Sequence, residues 1–158
     1  PIDNYSLSKA FQFYLCQSLT HKLSIDLSYL RPFQVYGGAE KEGRLFQAII
    51  SAVKSNKSFK ISAGSQIRDF IHIDNLTNFI SDEINFLSGF QVLNIASGVG
   101  TSVKEFVEFY WKKYKIKSSL KFGTLDEKQP LLKRLVGEPS NNKNRRKLDP
   151  FYMYPDIQ

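Results

Sequence analysis

Tyr5 and Lys9 stand four residues apart in Tyr-Ser-Leu-Ser-Lys. Four residues is about one helical turn, so on a helix the phenol and the ammonium share a face. A phenol is a weak proton donor near neutral pH, and a cation beside it stabilises the phenolate. Such a pair can move a proton on and off an alcohol or carbonyl oxygen while a hydride moves on carbon. The chain holds 8 tyrosines, so one such spacing is unremarkable by itself. The pair gains meaning only from the elements around it.

Those elements alternate in period. Asp3 or Asn4 can cap a helix whose apolar stripe is Leu7, Ala10, Phe11, Tyr14, Leu15 and Leu19. Phe13 and Cys16 are then expected on its exposed side. Residues 23–30 alternate as a strand that stops at Pro32, and Gly37-Gly38 opens a loop before a helix bearing Leu45, Phe46, Ile49, Ile50 and Val53. Strands are expected at 59–62 and 67–73. Asp74 is placed as the N-cap of a helix with Leu76, Phe79, Ile80, Ile84 and Leu87. A buried strand over 91–96 ends in Ser-Gly-Val-Gly, and Ser102 and Glu105 have capping-box spacing ahead of Val103, Phe106, Val107, Tyr110 and Tyr114. A last strand is expected near 118–122, followed by a polar stretch without clear period. Strand–helix alternation predicts an α/β fold. His72, alone in an apolar strand, reads as a packed, hydrogen-bonded residue rather than a catalytic one.

At 158 residues the chain suits one compact domain. Hydrophobic residues make up 42%, too many for a disordered chain. No apolar run approaches the roughly 20 residues of a membrane span. The single cysteine, Cys16, excludes an internal disulfide framework and a cysteine-based zinc site, no metal site is expected, and a reducing compartment is the simplest setting. Pro1 stands where Met is usual, so a piece of a longer protein is expected. The net charge of +7 is uneven. Residues 1–111 balance, whereas residues 112–147 carry twelve basic and three acidic side chains. A basic stretch of this kind can bind a polyanion, and the alternative to an enzyme is a non-enzymatic module binding nucleic acid through residues 112–147.

Motif order favours the enzyme. The chain resembles the C-terminal half of the extended short-chain dehydrogenase/reductase family, the NAD-dependent epimerases and dehydratases of nucleotide sugars. Tyr5–Lys9 resembles the family's Tyr-x-x-x-Lys. Leu-Arg-Pro-Phe-Gln-Val-Tyr-Gly-Gly (30–38) is similar to its Arg-Pro-Phe-Asn-Val-Tyr-Gly-Pro. Gly-Ser-Gln-Ile-Arg-Asp-Phe-Ile-His-Ile-Asp (64–74) is similar to its Gly-x-x-x-Arg-Asp-Phe-x-His-Val-Asp, and Leu-Asn-Ile-Ala-Ser-Gly (93–98) to its Asn-Ile-Gly-x-Gly. Gln34 and Gly38 replace the family's Asn and Pro, and Leu-Asp-Pro (148–150) stands where Leu-Gly-Trp is expected.

The resemblance implies a fold and a set of roles. Residues 1–30 would be the C-terminal edge of a Rossmann-type dinucleotide-binding domain, its last helix and strand. Residues 31–158 would be a smaller α/β lobe that binds the nucleotide sugar. Tyr5 would be the general acid/base, and Lys9 would favour the phenolate and hydrogen-bond the nicotinamide ribose. Arg68 would pair with the substrate diphosphate, its other candidate partners being Asp69 and Asp74. Arg44 and Leu45 would lie at the nucleotide end, and Gln34 and Asn94 near the phosphates. The cofactor would be NAD or NADP, the whole enzyme a cytoplasmic homodimer, and the substrate a nucleoside-diphosphate hexose. The stretch from Val35 to Leu45 resembles enzymes of 4-keto-6-deoxyhexoses used for surface polysaccharide. No Gly-x-Gly-x-x-Gly or Gly-x-x-Gly-x-x-Gly turn occurs in the sequence, so the pyrophosphate cradle of a dinucleotide is missing. The isolated chain is therefore expected to have no oxidoreductase activity. Titration calorimetry should find no saturable NAD binding to it, and a saturable isotherm would show the cofactor site misplaced.

Overall fold

A computed structural model describes residues 3–38, 40–83, 88–125, 132–140, 148 and 150–151. The chain opens on helix α1 (Asn4–Leu23), followed by strands β1 (Leu27–Pro32) and β2 (Gln34–Tyr36), helix α2 (Leu45–Ser55) and strands β3 (Phe59–Lys60), β4 (Ile67–Arg68) and β5 (Phe70–His72). Helix α3 (Ile73–Glu83), strands β6 (Phe90–Ile95) and β7 (Thr101–Ser102), helix α4 (Val103–Lys113) and strands β8 (Leu120–Lys121) and β9 (Arg134–Leu135) complete the order. β1 pairs with β6, β2 with β5, β3 with β8 and β4 with β9, all parallel, while β4 meets β7 antiparallel. Parallel neighbours joined through helices are the α/β arrangement expected from the alternating period.

The main core lies where α2 and α4 cover β2, β3 and β5. Tyr36, Phe46, Ile49, Ile61, Phe70, Phe106, Val107 and Tyr110 form one buried cluster. Phe70 and Phe106 stack with ring centroids 3.9 Å apart. The phenols are paired rather than stranded: Tyr36 Oη donates to the Pro150 carbonyl at 3.0 Å and lies 2.8 Å from Tyr110 Oη. Ser102 and Glu105 form the expected capping box, each side chain accepting from the other's backbone N–H. The His72 ring is buried edge-on against Tyr36 and occupies the space a side chain at Gly37 would need. With φ of 98°, position 37 is doubly reserved for glycine.

Five expectations are corrected. The stripe of α1 faces the other way: Leu7, Phe11, Tyr14, Leu15 and Leu19 are 39–68% exposed, whereas Phe13 packs on Tyr29 and Phe90 and Thr20 is buried. Both faces of this helix are apolar, so period alone does not choose between them, and the aromatic pocket at Tyr29 and Phe90 decides. The strand expected over 23–30 begins only at Leu27, because α1 continues to Leu23 and ends on the left-handed Ser24, whose N–H bonds the Thr20 carbonyl. The strand expected over 67–73 is two strands in different sheets, broken at Asp69. Its end is already helical: α3 begins at Ile73, and Asp74 sits in the first turn with its N–H donating to His72 Nδ1 at 3.2 Å. The polar stretch holds β9, which its composition does not announce. Ile84 and Leu87, assigned to α3, lie outside the described residues.

Two measurements follow from this packing. Phe106→Ala removes a ring from the centre of the cluster and should cost about 3–5 kcal/mol in urea unfolding. His72 is held below its ordinary value of 6.5 chiefly by burial, with Asp74 opposing and Lys113 assisting. A buried neutral imidazole binds fewer protons than its unfolded counterpart. Its contribution to stability is therefore complete above 6.5 and lost as pH falls below it. A His72→Gln variant should lose that part of the pH slope, and an unchanged slope would exclude His72 as its source.

Candidate active site

The site is built at two places. The first is the start of α1. Asp3 caps the helix with its carboxylate accepting from the Ser6 N–H at 2.7 Å, while Ser6 Oγ accepts from the Asp3 N–H at 3.1 Å. These side-chain and backbone bonds to Ser6 hold the Asp3 carboxyl below its ordinary range. The box fixes the turn that carries Tyr5, and Tyr5 is 71% exposed. Lys9 stands one turn on, its ammonium 5.8 Å from the Tyr5 ring centroid and 3.2 Å from Gln12 Oε1. Both line an open cleft of about 990 Å³ between α1 and β1, with Phe13, Tyr29 and Arg31. The Arg31 guanidinium lies over the Phe13 ring at 4.6 Å, and Tyr29 Oη donates to the Lys9 carbonyl at 3.4 Å. Strand and helix are thus joined next to the pair.

The second place is the junction of β2, β4 and β6. Arg68, on β4, is half-buried. Its guanidinium donates to the carbonyls of Ile67 (2.8 Å) and Lys133 (3.5 Å) and to Gln66 Oε1 (3.4 Å). Among the described residues it forms no ion pair, so neither Asp69 nor Asp74 neutralises it. Asn94, on β6, donates through Nδ2 to the Glu138 carbonyl at 3.3 Å and through its backbone N–H to Ser140 Oγ at 2.8 Å. Gln34, on β2, is half-buried, and its N–H donates to the Asp69 carbonyl at 2.9 Å.

Arg44 and Leu45 are on neither patch. They start α2, where Arg44 is the exposed N-cap and Leu45 packs against the core. Glu40 reaches into that turn and accepts from the Gln47 N–H at 3.2 Å. Burial pushes its carboxyl above the ordinary range, against the Gln47 bond and the nearby Arg44. Of the basic stretch 112–147, residues 126–131 and 141–147 lie outside the described residues. Among the described residues no group of three or more His, Cys, Asp or Glu gathers to hold a metal, and no helix is long and apolar enough to cross a membrane.

Sequence reasoning named Asp69 only as a candidate ion-pair partner of Arg68 and missed its burial. It is fully buried and accepts four hydrogen bonds: from Ser97 N–H (2.9 Å) and Oγ–H (2.7 Å) on Oδ1, and from Gly98 N–H (3.0 Å) and Gly137 N–H (3.2 Å) on Oδ2. The available signal was a carboxylate directly before the apolar Phe70-Ile71 of a buried strand, since such a group enters a core only with donors waiting.

The chain is 24% identical over 141 residues to GDP-6-deoxy-D-talose 4-dehydrogenase of Aggregatibacter actinomycetemcomitans, matching 89% of this chain and 47% of that protein. It is 27% identical over 127 residues to CDP-abequose synthase of Salmonella typhimurium, covering 75% of this chain and 42% of the relative. The chain therefore spans under half the length of these relatives. Among solved structures, a UDP-N-acetylglucosamine 4-epimerase from Methanobrevibacter ruminantium, in complex with UDP-N-acetylmuramic acid, superposes with a TM-score of 0.72 at 25% identity, over 89% of this chain and 46% of that one. Residues 1–96 match the NAD dependent epimerase/dehydratase family, a match that takes in the Tyr5–Lys9 turn, Arg68 and Asn94, and on it we assign the chain to that family.

Proposed function

We propose that the chain is the C-terminal portion of an NAD(P)-dependent nucleotide-sugar epimerase or reductase. Residues 1–30 are the edge of its cofactor domain and residues 31–158 its nucleotide-sugar lobe. The observation that carries this reading is the exposed Tyr5–Lys9 pair facing the open cleft between α1 and β1. The names of the relatives, a GDP-6-deoxy-D-talose 4-dehydrogenase and a CDP-abequose synthase, support a substrate that is a hexose on a nucleoside diphosphate. We take a 4-keto-6-deoxyhexose destined for surface polysaccharide as the best candidate.

Tyr5 Oη gives a proton to, or takes one from, a sugar oxygen. Lys9 supplies positive charge beside the phenol and donors for ribose hydroxyls. Arg68, with no carboxylate partner among the described residues, offers a planar fork to the diphosphate. Asn94 and Gln34 lie along the phosphates, and Arg44 and Leu45 contact the nucleotide end. The residues in hand fit one end of a dinucleotide: Tyr5 and Lys9 suit the nicotinamide ribose, and no glycine-rich turn is available for the pyrophosphate. When bound, NAD or NADP supplies the hydride acceptor or donor. The exposed apolar face of α1, with Leu7, Phe11, Leu15 and Leu19, supports a homodimer formed along this helix. The lone thiol suits a reducing compartment, and a cytoplasmic setting completes the reading.

In the complete enzyme, Tyr5→Phe keeps the ring and deletes the proton-transferring oxygen. Turnover should fall by about 10²–10⁴-fold while nucleotide-sugar binding changes by less than about tenfold. Near-normal turnover in that variant would remove Tyr5 from the mechanism.

A further inference from the structure

We propose that Asp69 is a positioning residue whose buried carboxylate sets Arg68, Asn94 and Gln34 in register for the nucleoside diphosphate. The inference rests on the substrate reading above. The three residues belong to three different sheets, so no ladder relates them directly. Asp69 does. Its backbone carbonyl accepts from the Gln34 N–H at 2.9 Å, and its own N–H donates to the Leu135 carbonyl at 3.1 Å. Its side chain draws in Ser97 and Gly98, just beyond Asn94, and Gly137, just beyond β9.

The segment after β9 closes the circuit. Glu138 and Ser140 bind Asn94, and Lys133, which precedes β9, accepts from Arg68. Gly137 itself lies against Ala96 and the Phe33 ring, where a Cβ would collide. The segment can sit this close only as glycine. The circuit thus runs along the chain from Arg68 to Asp69, by hydrogen bond to Ser97, along the chain to Asn94, by hydrogen bond to Glu138, and through the neighbouring Gly137 by hydrogen bond back to Asp69.

The chemistry of the hub is one-sided. All four of its side-chain partners donate, and an ionised carboxylate is the acceptor-only group of this size. An amide of the same shape would turn an NH₂ toward at least one donor. Oδ1 faces two donors from Ser97, and Oδ2 faces two from Gly98 and Gly137, so either amide orientation breaks a pair. The expected consequence is a shift of the loop that follows β6 and of the segment that follows β9, whose Glu138 and Ser140 hold Asn94, with Arg68 losing its alignment. The Tyr5–Lys9 cleft lies on other elements and is left alone.

The test uses the complete enzyme, titrated calorimetrically with UDP, CDP, GDP and dTDP, taking the tightest of the four as probe, and separately with NADH and NADPH. Asp69→Asn should weaken nucleoside-diphosphate binding by roughly tenfold or more, and Ser97→Ala, which removes one donor and keeps the charge, by about threefold. Binding of the preferred dinucleotide should stay within about twofold, which a general loss of structure would not allow. If Asp69→Asn does not fold, Ser97→Ala decides by the same two readouts. Arg68→Ala separates the two levels of the argument. If it weakens nucleoside-diphosphate binding and the Asp69 and Ser97 variants do not, the positioning role falls and the substrate site stands. If Arg68→Ala itself has no effect, the substrate site is misassigned and the positioning role falls with it. Equal losses of nucleotide and dinucleotide binding would make Asp69 a structural residue only.

Discussion

A carboxylate removed from water needs a donor for each lone-pair direction that solvent no longer fills, and its cost is large when one is missing. Asp69 meets this demand with donors drawn from two separate parts of the chain: its partners at 97–98 and at 137 lie 28 to 68 residues away. Because the demand is local and the suppliers are distant, satisfying it fixes tertiary structure. It breaks what would be one strand into β4 and β5, so that the first joins β7 and β9 and the second joins β2. It also brings the ends of β6 and β9 against the start of β2. The arrangement of Gln34, Arg68 and Asn94 depends on this carboxylate being held by three backbone N–H groups and the Ser97 hydroxyl.

The other half of the site depends on a different balance. α1 carries apolar side chains on two faces, and it is Phe13 that packs against β1 and β6, on Tyr29 and Phe90. This leaves Tyr5 and Lys9 on a free face with a cleft beside them. The capping box at Asp3 holds the first turn of that helix, which would otherwise fray, in helical geometry. The chemistry proposed at Tyr5 and the recognition proposed at Arg68 therefore rest on different physical devices. One is a capped helix end facing open space, and the other is a buried anion that collects loops. Strand β1 and the short link through Phe33 to β2 connect them, with the Phe33 N–H bonded to the Ile95 carbonyl.

What was legible in the sequence is what local chemistry decides. The Ser102–Glu105 box, the buried face of α2 and the strand that became β6 rest on near neighbours, and each appears where its pattern puts it. The face of α1 was not legible, because two apolar faces compete and the winner depends on Tyr29 and Phe90. Strand β9 was not legible either. Its two residues are exposed, and they are extended because β4 pairs with them, not because of their own preference. The Tyr5–Lys9 spacing and the Arg68 stretch acquired candidate roles only through the order of the motifs around them. The role of Asp69 could not be read even so, since a carboxylate shows its partners only after residues 97, 98 and 137 have been brought to it.

These devices converge on one geometric claim: a nucleotide sugar spans from the Tyr5 face of α1 to the Arg68–Asn94 junction. The most direct measurement is a crystal structure of the complete enzyme with the nucleotide sugar it binds. The account predicts the diphosphate within hydrogen-bonding distance of the Arg68 guanidinium and a sugar oxygen within hydrogen-bonding distance of Tyr5 Oη. A diphosphate held elsewhere, with Tyr5 directed away from the sugar, would contradict it.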